Sequence, residues 1–310
     1  MNRYDDFRPD VPRLLEEQDA RLPAKPPGAR SGHGLGPLGR LASRLRLGAL
    51  GLLVLSGWHR ALMYSNLRLD WFEEFQRYWV EELGNRPLHP HDFYYLYGVY
   101  RQRLQSMEPD LASDASQLAS WRDHRIVYYL FSHTYRQALS PLRVQRFARF
   151  LPRQGRVAEY GCGTAPITTA LARYYCHLDL ELVVADIPHV LFHFVRWRFR
   201  DTPYVTTLPI RPDDDATLPG RYDAIFCLET LEHLPRPLAA LGHFHTVLRP
   251  GGMLIFDYIR SEATGLDTPA ALRDREPALR FIADRFEPVE GRIALDGADQ
   301  PTTVVRKRGG

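Results

Sequence analysis

The stretch "VAEYGCGTAPITTALARYY", Val157 to Tyr175, decides the fold. It opens with a short apolar run that carries an acid, Glu159. It turns at two glycines, Gly161 and Gly163, and continues as an apolar helical pattern. Glycines at such a turn leave bare backbone where a ligand can approach. The first turn of the following helix offers unpaired N–H groups and a partial positive charge, which suit a carboxylate or a phosphate. Taken alone, the stretch fits a nucleotide cradle or a tight turn in any α/β domain.

The flanks supply the context. "LELVVADI" (Leu180–Ile187) reads as a second strand, followed by the helix "PHVLFHFVRWRFRD" (Pro188–Asp201). "RYDAIFCLE" (Arg221–Glu229) is a strand and "RPLAALGHFHTVLRPGG" (Arg236–Gly252) a helix ending in a Pro-Gly-Gly turn. "MLIFDYI" (Met253–Ile259), the helix "PALRFIADRF" and two closing strands, "EPVEGRIAL" and "TTVVRKR", complete the series. Strands alternating with helices predict an α/β fold: a doubly wound, mostly parallel seven-stranded sheet. The last two strands are joined by the turn residues "DGADQP", which predicts an antiparallel C-terminal hairpin at the sheet edge. This unit spans residues 151–310.

Ahead of it lie two regions of different texture. Residues 1–38 are rich in Pro, Gly and Arg, and read as a flexible tail. Residues 39–150 read as a helical cap. In "DWFEEFQRYWVEELG", Phe72, Phe75, Trp79 and Leu83 share one helical face, and Gly84 supplies the stop. "HDFYYLYGVYRQRLQSM" and "DHRIVYYLFSHTYRQAL" are tyrosine-rich helix candidates, mostly core and in part pocket lining.

Composition narrows the class. The 310 residues are 45% hydrophobic and 25% charged, with a net charge of +3, so a nucleic-acid partner is not demanded. Three cysteines (Cys162, Cys176, Cys227) fit neither a disulfide framework nor a zinc spacing, as expected of reduced thiols in a cytoplasmic protein. The polar N-terminus is no secretory signal. "LGALGLLVLSG" (Leu47–Gly57) is too short to span a bilayer. With Arg40, Arg44 and Arg46 it reads as a buried helix or as a peripheral membrane anchor within residues 40–60.

The ligand follows from the acids. Asp186 ends the second strand 23 residues after Gly163, where a carboxylate accepts hydrogen bonds from ribose hydroxyls. Dinucleotide sites need a third small residue; here it is Pro166, and Glu159 would repel a pyrophosphate. A ribose, an adenine and a cationic amino-acid portion fit better. These residues resemble the class I (Rossmann-like) S-adenosylmethionine-dependent methyltransferases: "VAEYGCGTA" and "VVADI" resemble their first two motifs. "DATLPGRYDAIFCLETLEHLP" resembles their acidic loop and fourth strand, and "VLRPGGMLIFDY" their fifth strand.

That resemblance implies S-adenosylmethionine as cofactor and methyl transfer as reaction. It implies that Glu159 holds the methionine end, directly or by orienting the glycine turn, and that Gly161, Cys162 and Gly163 line it. Asp186 would hold the ribose, Asp215 or Asp214 the adenine amino group, and Ile187 and Leu228 the adenine faces. "ETLEH" places Glu229, Glu232 and His233 just past the fourth strand. It resembles a metal-binding run of small-RNA and ubiquinone-pathway methyltransferases, but those have a later histidine, and none follows His245; only Asp257 stands near the place. The run also occurs in methyltransferases without metal. His233 is therefore the candidate base, beside Glu229, and no metal is assigned. His189 and His193 lie four apart on the helix after Asp186. His243 and His245 point to the outer face. His133, Tyr128 and Tyr129 are lid candidates.

The implied acceptor is a small-molecule or glycan-like biosynthetic intermediate, methylated on oxygen or nitrogen. Two alternatives stand beside it: an RNA methyltransferase using the basic run "HFVRWRFR", and a binding or scaffold protein that keeps the fold without catalysis.

Overall fold

The computed structural model describes residues 7–22, 37–58, 70–136, 140–211, 217–260 and 266–309. Asp214 and Asp215 lie outside the described residues. The strands are β1 (Arg156–Tyr160), β2 (Glu181–Asp186), β3 (Val205–Pro209), β4 (Tyr222–Cys227), β5 (Leu248–Tyr258), β6 (Phe286–Glu290) and β7 (Gln300–Lys307). The helices are α1 (Val11–Arg21), α2 (Pro37–Leu55), α3 (Asp70–Glu81), α4 (Pro90–Gln105), α5 (Asp114–Trp121), α6 (Val127–Arg136), α7 (Ser140–Ala148), α8 (Pro166–Tyr174), α9 (Val190–Arg198), α10 (Pro237–Val247) and α11 (Pro269–Arg285).

The sheet has seven strands in the order β3-β2-β1-β4-β5-β7-β6. β1 to β5 are parallel, and β7 runs antiparallel to both β5 and β6. The closing hairpin is present, with its second strand inserted beside β5 and β6 left at the edge. The apolar pattern does not mark β3, in which only Val205 and Leu208 are strongly apolar; its β-branched Val205, Thr206 and Thr207 suit a strand, and Pro209 is tolerated at an edge. β2 and β3 lie to one side of β1, β4 and β5 to the other. The order reverses between β1 and β4, and sheets of this kind bind ligands in the crevice beyond that point.

Successive residues of a strand face opposite sides. Val157, Leu182, Val184 and Phe226 pack under Phe147, Ile167, Leu171, Phe192 and Val195 of α7, α8 and α9. Ala158, Val183, Ile225 and Leu254 pack under Leu241, Phe244, Leu279 and Ile282 of α10 and α11. A third core is aromatic and belongs to the cap. Phe72, Phe75, Trp79, Phe93, Tyr100 and Phe131 of α3, α4 and α6 are fully buried in it. α9 joins the cap to the sheet: Val190, Leu191, Phe194 and Trp197 enter the cap core, while Phe192 and Val195 enter the sheet core. A helix with apolar residues on two faces is buried on both. Gly84 ends the segment after α3 at φ 64, with Asn85 N–H bonded back to the Trp79 carbonyl, as the stop signal predicts.

Residues 11–21 correct the tail reading of residues 1–38. Asp10 caps α1 by accepting from Arg13 N–H at 3.2 Å. Val11, Leu15 and Gln18 are buried, and Gln18 donates to the His193 carbonyl at 2.8 Å. Their i, i+4, i+7 spacing was masked by the Pro- and Arg-rich surroundings. α2 leans on α7, α8 and the turn at Cys176–Leu178. Among the described residues no helix is long and apolar enough to cross a membrane.

Candidate active site

The turn after β1 is held from below by Glu159, which is 6% exposed. Its Oε1 accepts from Ile167 N–H at 3.1 Å and its Oε2 from Thr168 N–H at 2.7 Å. The carboxylate thus caps α8, whose N-cap residue Ala165 makes no side-chain cap bond. Two of the helix amides expected to be open to a ligand are therefore used by the protein. Burial pushes the Glu159 pKa up to about 7, against the pull of these hydrogen bonds. Gly161 (φ 66) and Gly163 (φ 52) adopt the left-handed conformation. A Cβ at Gly161 would overlap the Thr230 side chain, which comes from the loop after β4. A Cβ at Gly163 would stand 3.5 Å from His133 Nδ1, which comes from the cap. The turn is closed in from both sides.

Asp186 crosses from β2 to this turn. Its Oδ2 accepts from Gly163 N–H at 2.6 Å and its Oδ1 from Ile187 N–H at 2.8 Å. One backbone bond per oxygen leaves each with further acceptor capacity, enough for a pair of hydroxyls. His189 caps α9 by accepting from Phe192 N–H at 3.1 Å through Nδ1. Its proton is then on Nε2, 3.8 Å from Asp186 Oδ1. His193 turns the other way, with Nδ1 2.7 Å from the Tyr78 hydroxyl inside the cap core. The two histidines do not share a pocket face.

Beyond β4, Glu229 is exposed into the pocket at φ 51, a conformation rare outside glycine. Its N–H is fixed by Asp257 Oδ1 at 2.6 Å, and Asp257 Oδ2 accepts from Thr302 at 3.1 Å. Burial pushes Asp257 up to about 6 and Glu232, 2% exposed, up to about 9. His233 Nδ1 lies 3.1 Å from the Leu266 carbonyl and 3.4 Å from Asp267, which leaves Nε2 as the basic nitrogen. Burial lowers its pKa, with Asp267 opposing. Among the described residues, no group of three or more His, Cys, Asp or Glu side chains stands close enough together to hold a metal ion. His233 is held by the Leu266–Asp267 loop. His243 accepts from Leu218 N–H and His245 packs on Phe281 and Phe286, both away from the pocket.

A cavity of about 920 Å³ unites these groups at the β1–β4 switch point. Glu159, Gly161, Cys162, Gly163, Asp186, Ile187, Leu228, Glu229, Glu232 and His233 all line it. The N-terminal helices line it too: Tyr128, Tyr129 and His133 of α6, and Trp121 of α5, whose ring lies 5.4 Å from His233 and 5.8 Å from His189. Burial lowers the His133 pKa to about 4. Trp121, Arg136, Arg143 and Thr302 are pocket residues that the sequence left unmarked. Trp121 had a usable signal, the Ser113/Ser116 capping box that starts α5.

The basic run of α9 is spent on the N-terminal helices. Arg196 pairs with Asp19, Arg198 lies 2.8 Å from Glu74, and Arg200 lies 3.6 Å from Glu82. All three arginines of the run are thus paired with acids of the protein itself.

A switch-point pocket, a left-handed glycine turn and an acid at the end of the next strand define the class: the Rossmann-like, class I S-adenosylmethionine-dependent methyltransferases. The chain belongs to the family described as "methyltransferase domain", whose model matches residues 131–289. It is similar to the ubiquinone biosynthesis O-methyltransferase of Xanthomonas campestris, 31% identical over 149 residues, which cover 47% of this chain and 58% of that protein. A protein of the same name from Xylella fastidiosa is 32% identical over 125 residues, 39% of this chain and 49% of that one. The chain spans about half the length of the curated relatives it matches. Among solved structures, the 1,6-didemethyltoxoflavin-N1-methyltransferase of Burkholderia thailandensis is 18% identical, with a TM-score of 0.44 over 65% of this chain and 93% of that one.

Proposed function

We propose that this protein methylates an oxygen or nitrogen of a small-molecule or glycan-like biosynthetic intermediate, using S-adenosylmethionine. The observation that carries the reading is Asp186. Its two oxygens brace the glycine turn and Ile187 while keeping acceptor capacity toward the cavity, which suits a ribose diol. Ile187 and Leu228 offer apolar walls for the adenine. Glu159 acts on the methionine end indirectly, by fixing α8 and the turn. Asp214 or Asp215 would meet the adenine amino group. The relatives named as O-methyltransferases favour oxygen as the acceptor atom.

The cofactor supplies an activated methyl group on a sulfonium, and the remaining work is the chain's own. The cap roofs the cavity and excludes water, with His133 against the glycine turn and Trp121 against His233. His233 is neutral near pH 7, so its Nε2 can accept the proton of a hydroxyl acceptor. Glu229, fixed by Asp257, provides a carboxylate that orients that acceptor. The three thiols, none of them in a disulfide, fit a reducing cytoplasm. Incubation with labelled S-adenosylmethionine and a panel of hydroxylated aromatics and glycosides tests the reading. Transfer by the wild type that collapses in His233→Ala is expected. Cofactor binding with no transfer to any acceptor would favour the scaffold alternative.

A further inference from the structure

The helix α2 is not buried. Leu38, Leu41, Leu45, Leu52 and Leu55 are each more than half exposed, as is Trp58 just beyond the helix. At 100° per residue the five leucines fall within an arc of about 100°, a continuous stripe along one side. Arg44 borders the stripe, and Arg46 is exposed further round the helix. α2 contains three arginines and no acid. Near it Arg44, Arg153 and Arg40 add to burial in lowering the His177 pKa, so arginines crowd this corner of the molecule, with Asp179 beside them. The opposite side of α2 faces the protein: Leu47 joins the core beneath α7 and α8, and a Cβ at Gly51 would touch Leu142 at 3.8 Å. Leu142 and Arg143 are themselves pocket-wall residues.

We infer that α2 docks the protein on an anionic membrane surface. An apolar stripe on a helix with exposed arginines and no acid, closed by a tryptophan, has the chemistry of a helix lying in the headgroup layer. The leucines enter the acyl boundary and the arginines meet lipid phosphates. Docking there sets the α7 wall of the pocket beside the bilayer. The inference does not depend on the methyl-transfer reading.

Co-sedimentation tests it, with the full chain and vesicles of phosphatidylcholine either alone or mixed with phosphatidylglycerol. The wild type pellets with the mixed vesicles and much less with phosphatidylcholine alone. Leu45→Glu/Leu52→Glu lowers the partition by about tenfold or more. Each arginine of Arg44 and Arg46 replaced by Gln costs about fivefold on the mixed vesicles only. Unchanged circular dichroism and S-adenosylhomocysteine affinity show that the variants remain folded. Wild type left in the supernatant, equal binding to both vesicles, or full binding by the leucine variant would each overturn the inference. So would a dimer that the leucine variant dissociates without any vesicle binding, since the stripe would then be a self-association face.

Discussion

Replacing Glu74 tests how the cap holds the site. Glu74 comes from α3 and is 4% exposed. It accepts a hydrogen bond from Arg173 at 2.5 Å and lies 2.8 Å from Arg198. The Arg198 side chain is 2% exposed, stands 4.2 Å over the Phe194 ring, and donates to the Thr164 carbonyl at 2.6 Å and to Thr169 at 3.0 Å. Thr164 follows Gly163, so the pair links the cap to the glycine turn. Glu74→Ala leaves the Arg198 charge buried without its counter-ion, which costs about 3–5 kcal/mol. Glu74→Leu/Arg198→Met removes both charges and recovers most of that loss, because an apolar pair of similar volume avoids the desolvation penalty. It does not restore the donor to Thr164. Its S-adenosylhomocysteine affinity therefore falls about tenfold, the worth of roughly 1.4 kcal/mol. Urea unfolding followed by tryptophan fluorescence gives the first quantity, and calorimetry gives the second. A loss under about 1 kcal/mol in Glu74→Ala, or a double variant as unstable as the single one, would refute the buried-charge reasoning. Wild-type affinity in the double variant would refute the link to the turn.

Three further outcomes are expected. Gly161→Ala forces a Cβ into Thr230 at φ 66 and costs about 1–3 kcal/mol, with loss of S-adenosylhomocysteine binding measured by calorimetry. Asp257 titrates at about 6 when folded against 3.8 when free, so the folded state holds the proton more tightly. Its contribution of up to about 3 kcal/mol is present below pH 3.8 and is lost as pH rises through 6. Asp257→Asn flattens that part of the stability–pH curve from urea titrations. For catalysis, burial places the acid limb of kcat/KM below 6.5, with activity rising with pH as His233 becomes neutral. His233→Gln erases the limb and lowers kcat about 10²–10⁴-fold in the labelled-methyl assay.

Apart from β3, the strands and the glycine turn were legible because each carries a local signal: a short apolar run, two glycines two apart, an acid closing β2. The residues proposed for the cofactor line one cavity because they sit just past those strands. What Glu159 does was not legible, because its partners Ile167 and Thr168 depend on how α8 folds back over the strand end. The rest of the cavity lining was only partly legible. Tyr128, Tyr129 and His133 lie on one strongly patterned helix, whereas Trp121 meets His233 across 112 residues and Thr302 meets Asp257 across 45. The basic run of α9 looked like a candidate nucleic-acid surface because its partners, Asp19, Glu74 and Glu82, lie far upstream. β3 and α1 escaped for opposite reasons: one is too polar for its class, the other is embedded in a Pro- and Arg-rich surround.

Calorimetric titration with S-adenosylhomocysteine, comparing wild type with Asp186→Ala, tests the central claim most directly. The substitution removes the acceptor of Gly163 N–H and the proposed ribose ligand together. The expected result is micromolar-range binding by the wild type and a loss of about a hundredfold or more in the variant, two or more hydrogen bonds to a charged group. No binding by the wild type, or equal binding by folded Asp186→Ala, would contradict the assignment of this pocket to S-adenosylmethionine.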